Sequence, residues 1–138
     1  MEIIMSFQIP VETSCEEEFK VLETHTARHI GSGDVLVLST PSMIGFMESA
    51  SLRCLQKFLP EEYTSVGTLV NIKHLNPAPV NSIVKVKTTI KSVEGRKIVF
   101  NVVAMVKDVV IGEGVHERFI VNRSRFAEKV RELSSKLM

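Results

Sequence analysis

One apolar stretch constrains this chain more than any other. Val35-Leu36-Val37-Leu38 has strand propensity and runs into Ser39-Thr40-Pro41, and from Pro41 towards Pro60 the residues follow a helical period. Thr40 before Pro41 makes a good helix opening, because a hydroxyl caps and proline at the first helical position gives up no needed N–H. Pro60 closes the segment. At about 100° per residue, Met43, Ile44, Met47, Leu52, Cys54, Leu55, Phe58 and Leu59 share one wide arc. Ser49, Arg53, Gln56 and Lys57 lie opposite. So wide an arc on so long a helix predicts an element wrapped by a sheet rather than one resting on a surface.

Glu48 falls inside that apolar arc, between Leu55 and Leu59. A carboxylate there must find hydrogen-bond partners or have its pKa raised, since desolvation disfavours the charged form. Misplaced carboxylates of this kind are candidate catalytic groups. The rival reading is a side chain that snorkels to the helix edge. The pattern alone leaves both open.

The rest of the chain is consistent with a single domain over residues 1–138, with a net charge of +1. There is no basic run and few aromatics interleave with Arg or Lys, which argues against nucleic-acid binding. No apolar run reaches the length that spans a bilayer, and the start, with Glu2 and no basic region before an apolar core, argues against a secretory signal. The expected location is the cytoplasm. Cys15 and Cys54 make neither a metal-ligand spacing nor a convincing disulfide framework, and Cys54, on the apolar arc, reads as a small core residue. No electropositive neighbourhood marks either as a nucleophile.

In chain order the pattern predicts a short strand near Phe7 to Ile9, a solvated turn at Glu16-Glu17-Glu18, and a strand from Phe19 to Thr26. His25 and His29 are four apart, a metal spacing on a helix, but the region reads as strand then loop. Gly31-Ser32-Gly33 is not a phosphate loop, because the helix starts only at Pro41 and the Lys-Ser/Thr pair is missing. It reads as a loop over whatever the helix start holds. Four strands follow, Val66 to Leu75, Ser82 to Val93, Lys97 to Val106 and Val109 to Val121. Val84, Val86, Thr88 and Ile90 alternate with Lys85, Lys87, Thr89 and Lys91, the period of a sheet with one wet face. Glu94-Gly95-Arg96 and Lys107-Asp108 suit tight hairpins. Asn122 caps a last helix on which Phe126, Val130, Leu133 and Leu137 recur at helical spacing. The layout is an α+β domain, and the hotdog fold, a long helix wrapped by a curved antiparallel sheet, has that layout.

The run Gly31 to Glu48, continued by Val66-Gly67-Thr68, His74 and Gly114-Val115-His116-Glu117-Arg118, resembles the fluoroacetyl-CoA thioesterase-like group of hotdog proteins. The resemblance covers about Val11 to Val130. It implies hydrolysis of acyl-CoA thioesters by a threonine, a helix glutamate and a strand histidine, here Thr40, Glu48 and His74. It also implies a homodimer or tetramer, with the thioester at the subunit boundary, and no cofactor or metal beyond the coenzyme A carried by the substrate. The loop Gly31 to Asp34 has none of the bulky aromatics associated with fluorine recognition in the fluoroacetate-specific member, which implies a short or medium acyl group instead.

Thioester hydrolysis needs a nucleophile at the carbonyl carbon and donors for the oxyanion, while the thiolate leaves readily. Glu48 is expected to attack or to activate water, Thr40 to orient or to act as nucleophile, and His74 to exchange protons near neutrality. Gly67, without a side chain, lets a thioester reach its backbone N–H, and Arg118 is the expected substrate-binding cation. Lys73, Lys85, Lys87, Lys91 and Arg96 are further candidates for the coenzyme A phosphates, against the simpler role of a solubilising face. Each site residue has a structural rival: Thr40 as a cap, His74 as a sheet histidine, Gly67 as a bulge. The competing functions are a hotdog hydratase or dehydratase, and a noncatalytic acyl-CoA binding module.

Overall fold

A computed structural model describes residues 7–138. In chain order the elements are β1 (Ser14–Lys20), α1 (Ala27–Ile30), α2 (Thr40–Gln56), β2 (Tyr63–His74), β3 (Ile83–Glu94), β4 (Lys97–Val106), β5 (Val109–Asn122) and α3 (Arg123–Leu137). The alternation expected in β3 is present, with Val84, Val86, Thr88 and Ile90 buried and the intervening lysines exposed. β3, β4 and β5 form the meander, and its turns hold Gly95 and Lys107 at positive φ. β2 stands outside it, at the far edge beside β5, giving the antiparallel order β1-β3-β4-β5-β2.

The sheet curls around α2, which touches all five strands. Met43, Met47, Cys54 and Leu55 of the expected arc are buried, and so are Phe46, Ala50 and Ser51. From the sheet, Phe100, Ile98, Ile111 and Ile120 complete the core. Each large apolar side chain withdrawn from water contributes about 1.5–3 kcal/mol, so this contact surface, more than helix propensity, holds α2 in place. Ser51 is accommodated by a 2.8 Å hydrogen bond with Thr88. The helix ends at Gln56, a turn before Pro60, where Phe58 N–H and Leu59 N–H take the tighter three-residue bonds to Leu55 and Gln56.

Four expectations are corrected here. The acidic patch is strand, not turn: Glu16, Glu17 and Glu18 lie within β1, opposite Lys87, Val86 and Lys85. Cations on neighbouring elements make this tolerable, with Glu17 at 2.7 Å from Arg53 and Glu16 at 3.8 Å from Lys85. The strand expected from Phe19 to Thr26 accordingly ends at Lys20, and the chain turns through Glu23–His25 into α1. Phe7 to Ile9 joins no ladder; Ile9 is buried and Phe7 packs edge-on against Tyr63 at 5.1 Å.

The fourth correction concerns the cysteines, which form a disulfide. Cys15, Glu17 and Phe19 occupy alternate positions on β1 and all meet α2, respectively at Cys54, Arg53 and Phe46. That docking brings the Cys15 and Cys54 Cα atoms to 5.8 Å, inside the range a disulfide needs. The sequence spacing of the pair carries no trace of it. At the other end of the chain Asn122 caps α3 as expected, accepting from Arg125 N–H at 3.1 Å, and the helix leaves Phe126, Val130, Leu133 and Leu137 exposed.

Candidate active site

The opening of α2 is capped by Ser39, not by Thr40. Ser39 is extended, and its Oγ accepts from Ser42 N–H at 3.1 Å. Thr40 is therefore the first helical residue, with its hydroxyl released from capping. That hydroxyl lies 2.8 Å from Nδ1 of His74, the last residue of β2. The His74 Nε2 is buried with no hydrogen-bond partner among the described residues. Burial lowers the pKa of His74, an effect that hydrogen bonding with the Asn76 backbone opposes. An imidazole held neutral in this way can accept the threonine proton. A cavity of about 430 Å³ opens over the pair, and Ser32, Asp34 and Val35 from the loop after α1 line it with Leu38 and Asn76. The glycine-containing loop thus lies where the sequence expects it.

The second half of the candidate site lies further along α2. The Glu48 side chain is 43% exposed, so it sits at the edge of the buried face instead of within it. Its Oε2 is 3.9 Å from Nη1 of Arg118. Gly67 on β2 faces the same carboxylate: a Cβ there would come within 2.7 Å of Glu48 Oε2, 3.3 Å of His116 Cε1 and 3.5 Å of Arg118 Nη1. Glycine at this position keeps a side chain from crowding Glu48, His116 and Arg118. β2 also carries a bulge between Gly67 and Leu69.

Arg118 is buried at 6% exposure and is held on three sides. Its Nε donates to Ser65 Oγ at 2.7 Å, its Nη2 to the Ser65 carbonyl at 2.9 Å, and its Nη1 meets His116 Nε2 at 3.1 Å. Burial lowers its pKa and Glu48 works the other way; a guanidinium remains charged regardless. Ser39, Ser65 and His116 are absent from the sequence-derived site. His116 lies within the Gly114 to Arg118 motif, but only its burial and contacts mark it out.

The structure thus joins Thr40 to His74, and Glu48 to Gly67 and Arg118. The two groups are eight helical residues apart on α2, roughly 12 Å of rise, too far for a direct hydrogen bond between Thr40 and Glu48. Three of the other cationic candidates have surface partners: Lys85 and Lys91 pair with Glu16 and Glu12, and Arg96 lies over the Tyr63 ring at 5.8 Å. His25 accepts from Leu22 N–H and packs edge-on against Phe46 at 4.9 Å. Among the described residues no group of three or more His, Cys, Asp or Glu is placed to hold a metal.

The chain matches the family model for fluoroacetyl-CoA-specific thioesterases (FlK) over residues 21–124. It is 34% identical over 96 residues to the fluoroacetyl-CoA thioesterase of Streptantibioticus cattleyicolor, covering 70% of this chain and 69% of that protein. The solved structure of the fluoroacetyl-CoA thioesterase FlK matches with a TM-score of 0.85 at 30% identity, over 91% of this chain and 97% of that one. A thioesterase superfamily member from Thermus thermophilus matches at 0.86 and 27% identity, over 94% and 96%. On the family match, the curated relative and the shared fold, the chain belongs to the fluoroacetyl-CoA-specific thioesterase family and is a thioesterase of the hotdog fold.

Proposed function

We propose that this thioesterase hydrolyses short- or medium-chain acyl-CoA thioesters through Thr40, His74 and Glu48, with no cofactor or metal beyond the coenzyme A of the substrate. The observation that carries the assignment is the 2.8 Å contact between Thr40 Oγ1 and His74 Nδ1, the nucleophile–base geometry of covalent catalysis. Thr40 Oγ1 bonds to the thioester carbonyl carbon as its proton passes to His74. The C–S bond then breaks, and the departing thiolate takes up that proton. Water, passing a proton to Glu48, then adds to the resulting ester; the acyl–Oγ1 bond breaks, a proton returns to Thr40 Oγ1, and the acid is released. The Gly67 N–H and the Arg118 guanidinium stabilise the oxyanion.

The separation of the two groups within one chain supports a homodimer. Among the described residues β2 is an edge strand, with Leu69 and Val70 on it exposed, an edge of the kind that sheets cover by pairing. Antiparallel pairing with the same strand of a second copy runs the His74 end of one β2 beside the Gly67 end of the other. Thr40 and His74 of one protomer then face Glu48, Gly67 and Arg118 of its partner. A cytoplasmic location belongs to the same reading; no described helix is long and apolar enough to cross a membrane.

The test is release of free thiol from acyl-CoAs of graded length, followed with a thiol reagent, for the unchanged protein and for Thr40→Ala, Glu48→Gln and His74→Ala. Thiol release abolished in these folded variants supports the assignment; release near the unchanged rate in the Glu48 variant overturns it. Acyl groups consumed without thiol release would indicate a hydratase.

A further inference from the structure

His116 is among the most enclosed polar side chains of the protein, at 1% exposure, yet the chemistry above gives it no task. Its surroundings are specific. Nδ1 lies 2.8 Å from the Leu69 carbonyl, immediately after the β2 bulge, and Nε2 lies 3.1 Å from Arg118 Nη1. A carbonyl only accepts, so Nδ1 carries the proton, and a neutral imidazole protonated there presents a bare Nε2. Arg118 Nη1 is a donor, so the contact is satisfied only in that tautomer. The ring is fixed from below by Phe100 of β4, with centroids 6.2 Å apart and planes 26° apart.

The remaining Arg118 nitrogens are taken by Ser65, as Nε donates to its hydroxyl and Nη2 to its carbonyl. His116 is the third anchor, and it acts on Nη1, the nitrogen that also faces Glu48 Oε2 at 3.9 Å. We propose that His116 is a positioning residue, whose neutral imidazole ties Arg118 to the bulged backbone of β2 so that Nη1 stays aimed at the reacting centre above Gly67. The inference rests on the placing of Arg118 in the site.

The charged groups facing the imidazole are consistent with this role. Burial, then the neighbouring Arg118 cation, hold its pKa below the ordinary value, while its bond to Leu69 and the Glu48 and Glu117 carboxylates oppose them. A protonated ring would present a donor to a donor and break the link. Because the imidazole reaches substrate only through the guanidinium, its loss should lower kcat and leave KM little changed.

The direct measurement is the tautomer of His116 in the unchanged protein, by long-range ¹H–¹⁵N correlation at pH 7. A proton on Nδ1 and a bare Nε2 are expected; a proton on Nε2 overturns the inference and leaves the site reading standing. The kinetic test uses His116→Gln, which keeps a donor and an acceptor, and His116→Phe, which keeps bulk alone. The Phe variant should lose on the order of ten- to a hundredfold in kcat, the scale of one hydrogen bond to a charged group, and Gln should recover most of it. In an Arg118→Gln background, His116→Phe should cost almost nothing further.

Equal damage from Gln and Phe, or losses that multiply in the double variant, would overturn the proposal. If Arg118→Gln alone is as active as the unchanged protein, both the site reading and this inference fall. If Arg118→Gln is impaired and a folded His116→Phe is not, only the inference falls. Should the Phe variant not fold, the tautomer and the Gln variant decide.

Discussion

The Thr40 hydroxyl sits 2.8 Å from Nδ1 of His74 because Ser39, one residue earlier, caps the helix in its place. Position and chemistry separate cleanly at this helix mouth. Thr40→Ala should lower kcat by about 10²-fold or more, as loss of a nucleophile or of its proton-transfer partner does, with little change in Tm. Ser39→Ala should cost about 1 kcal/mol of stability and keep the hydroxyl–imidazole contact. Thermal unfolding and thiol-release kinetics on both variants check the contrast.

Gly67→Ala tests the close approach of β2 to the Glu48 carboxylate. The added methyl lies within 2.7 Å of Glu48 Oε2, the free end of a flexible side chain, so the carboxylate can move aside and the fold should survive. Activity should fall about tenfold or more as Glu48 is displaced. Gly114→Ala makes the opposite case, since its methyl would fall on the Asn71 carbonyl of the paired strand. It should lower Tm by disrupting the β2–β5 ladder.

Acid should weaken both chemistry and fold. His74 must be neutral to take a proton, and burial holds its pKa below the ordinary 6.5, so kcat/KM should fall with pH only below that value. His116 is shifted in the same direction. Below about pH 6.5 the unfolded chain therefore binds protons that the folded chain resists, and stability declines as pH drops through this window. His116→Gln should flatten part of the decline in Tm below about pH 6.5.

A site shared across a dimer is tested by mixing two inactive variants. Glu48→Gln and His74→Ala, combined and allowed to exchange subunits, produce mixed dimers in which one site has neither lesion. Recovery should approach about a quarter of the unchanged activity, with half the dimers mixed and half of their sites intact. No recovery despite demonstrated exchange would return the site to one protomer. Val70→Glu, on the exposed edge of β2, should shift sedimentation to monomer and abolish turnover.

Reduction of Cys15–Cys54 should destabilise the protein while sparing its chemistry. Closing a loop with sequence separation 39 contributes roughly 4 kcal/mol in the chain-entropy account. A reductant should therefore lower Tm by about 10 °C or more and leave kcat at 25 °C unchanged, as should Cys15→Ser.

Periodicity made the architecture legible: the long helix in the sheet, the alternation in β3, the hairpin turns and the Asn122 cap stand where the residues put them, while the buried face of α2 is shifted to include Phe46, Ala50 and Ser51 and leaves Glu48 at its edge. It failed where a tertiary neighbour decides. Glu16-Glu17-Glu18 reads as solvated until Arg53 and Lys85 supply countercharges, and Cys15 and Cys54 are strangers until β1 docks on α2. Thr40, Glu48 and His74 could be proposed from the sequence, but not that Ser39 would cap the helix, nor that His116 would lie 3.1 Å from Arg118. Those depend on distances between segments, which no local pattern encodes.

The β2 bulge carries a consequence for insertions and deletions. Gly67 and His74 are seven positions apart, an odd number, so a regular strand would point them to opposite faces. The extra residue at Thr68 resets the parity, and both meet α2, at Glu48 and Thr40. Loss of that one codon would leave every chemical group in the chain and turn one end of β2 inside out.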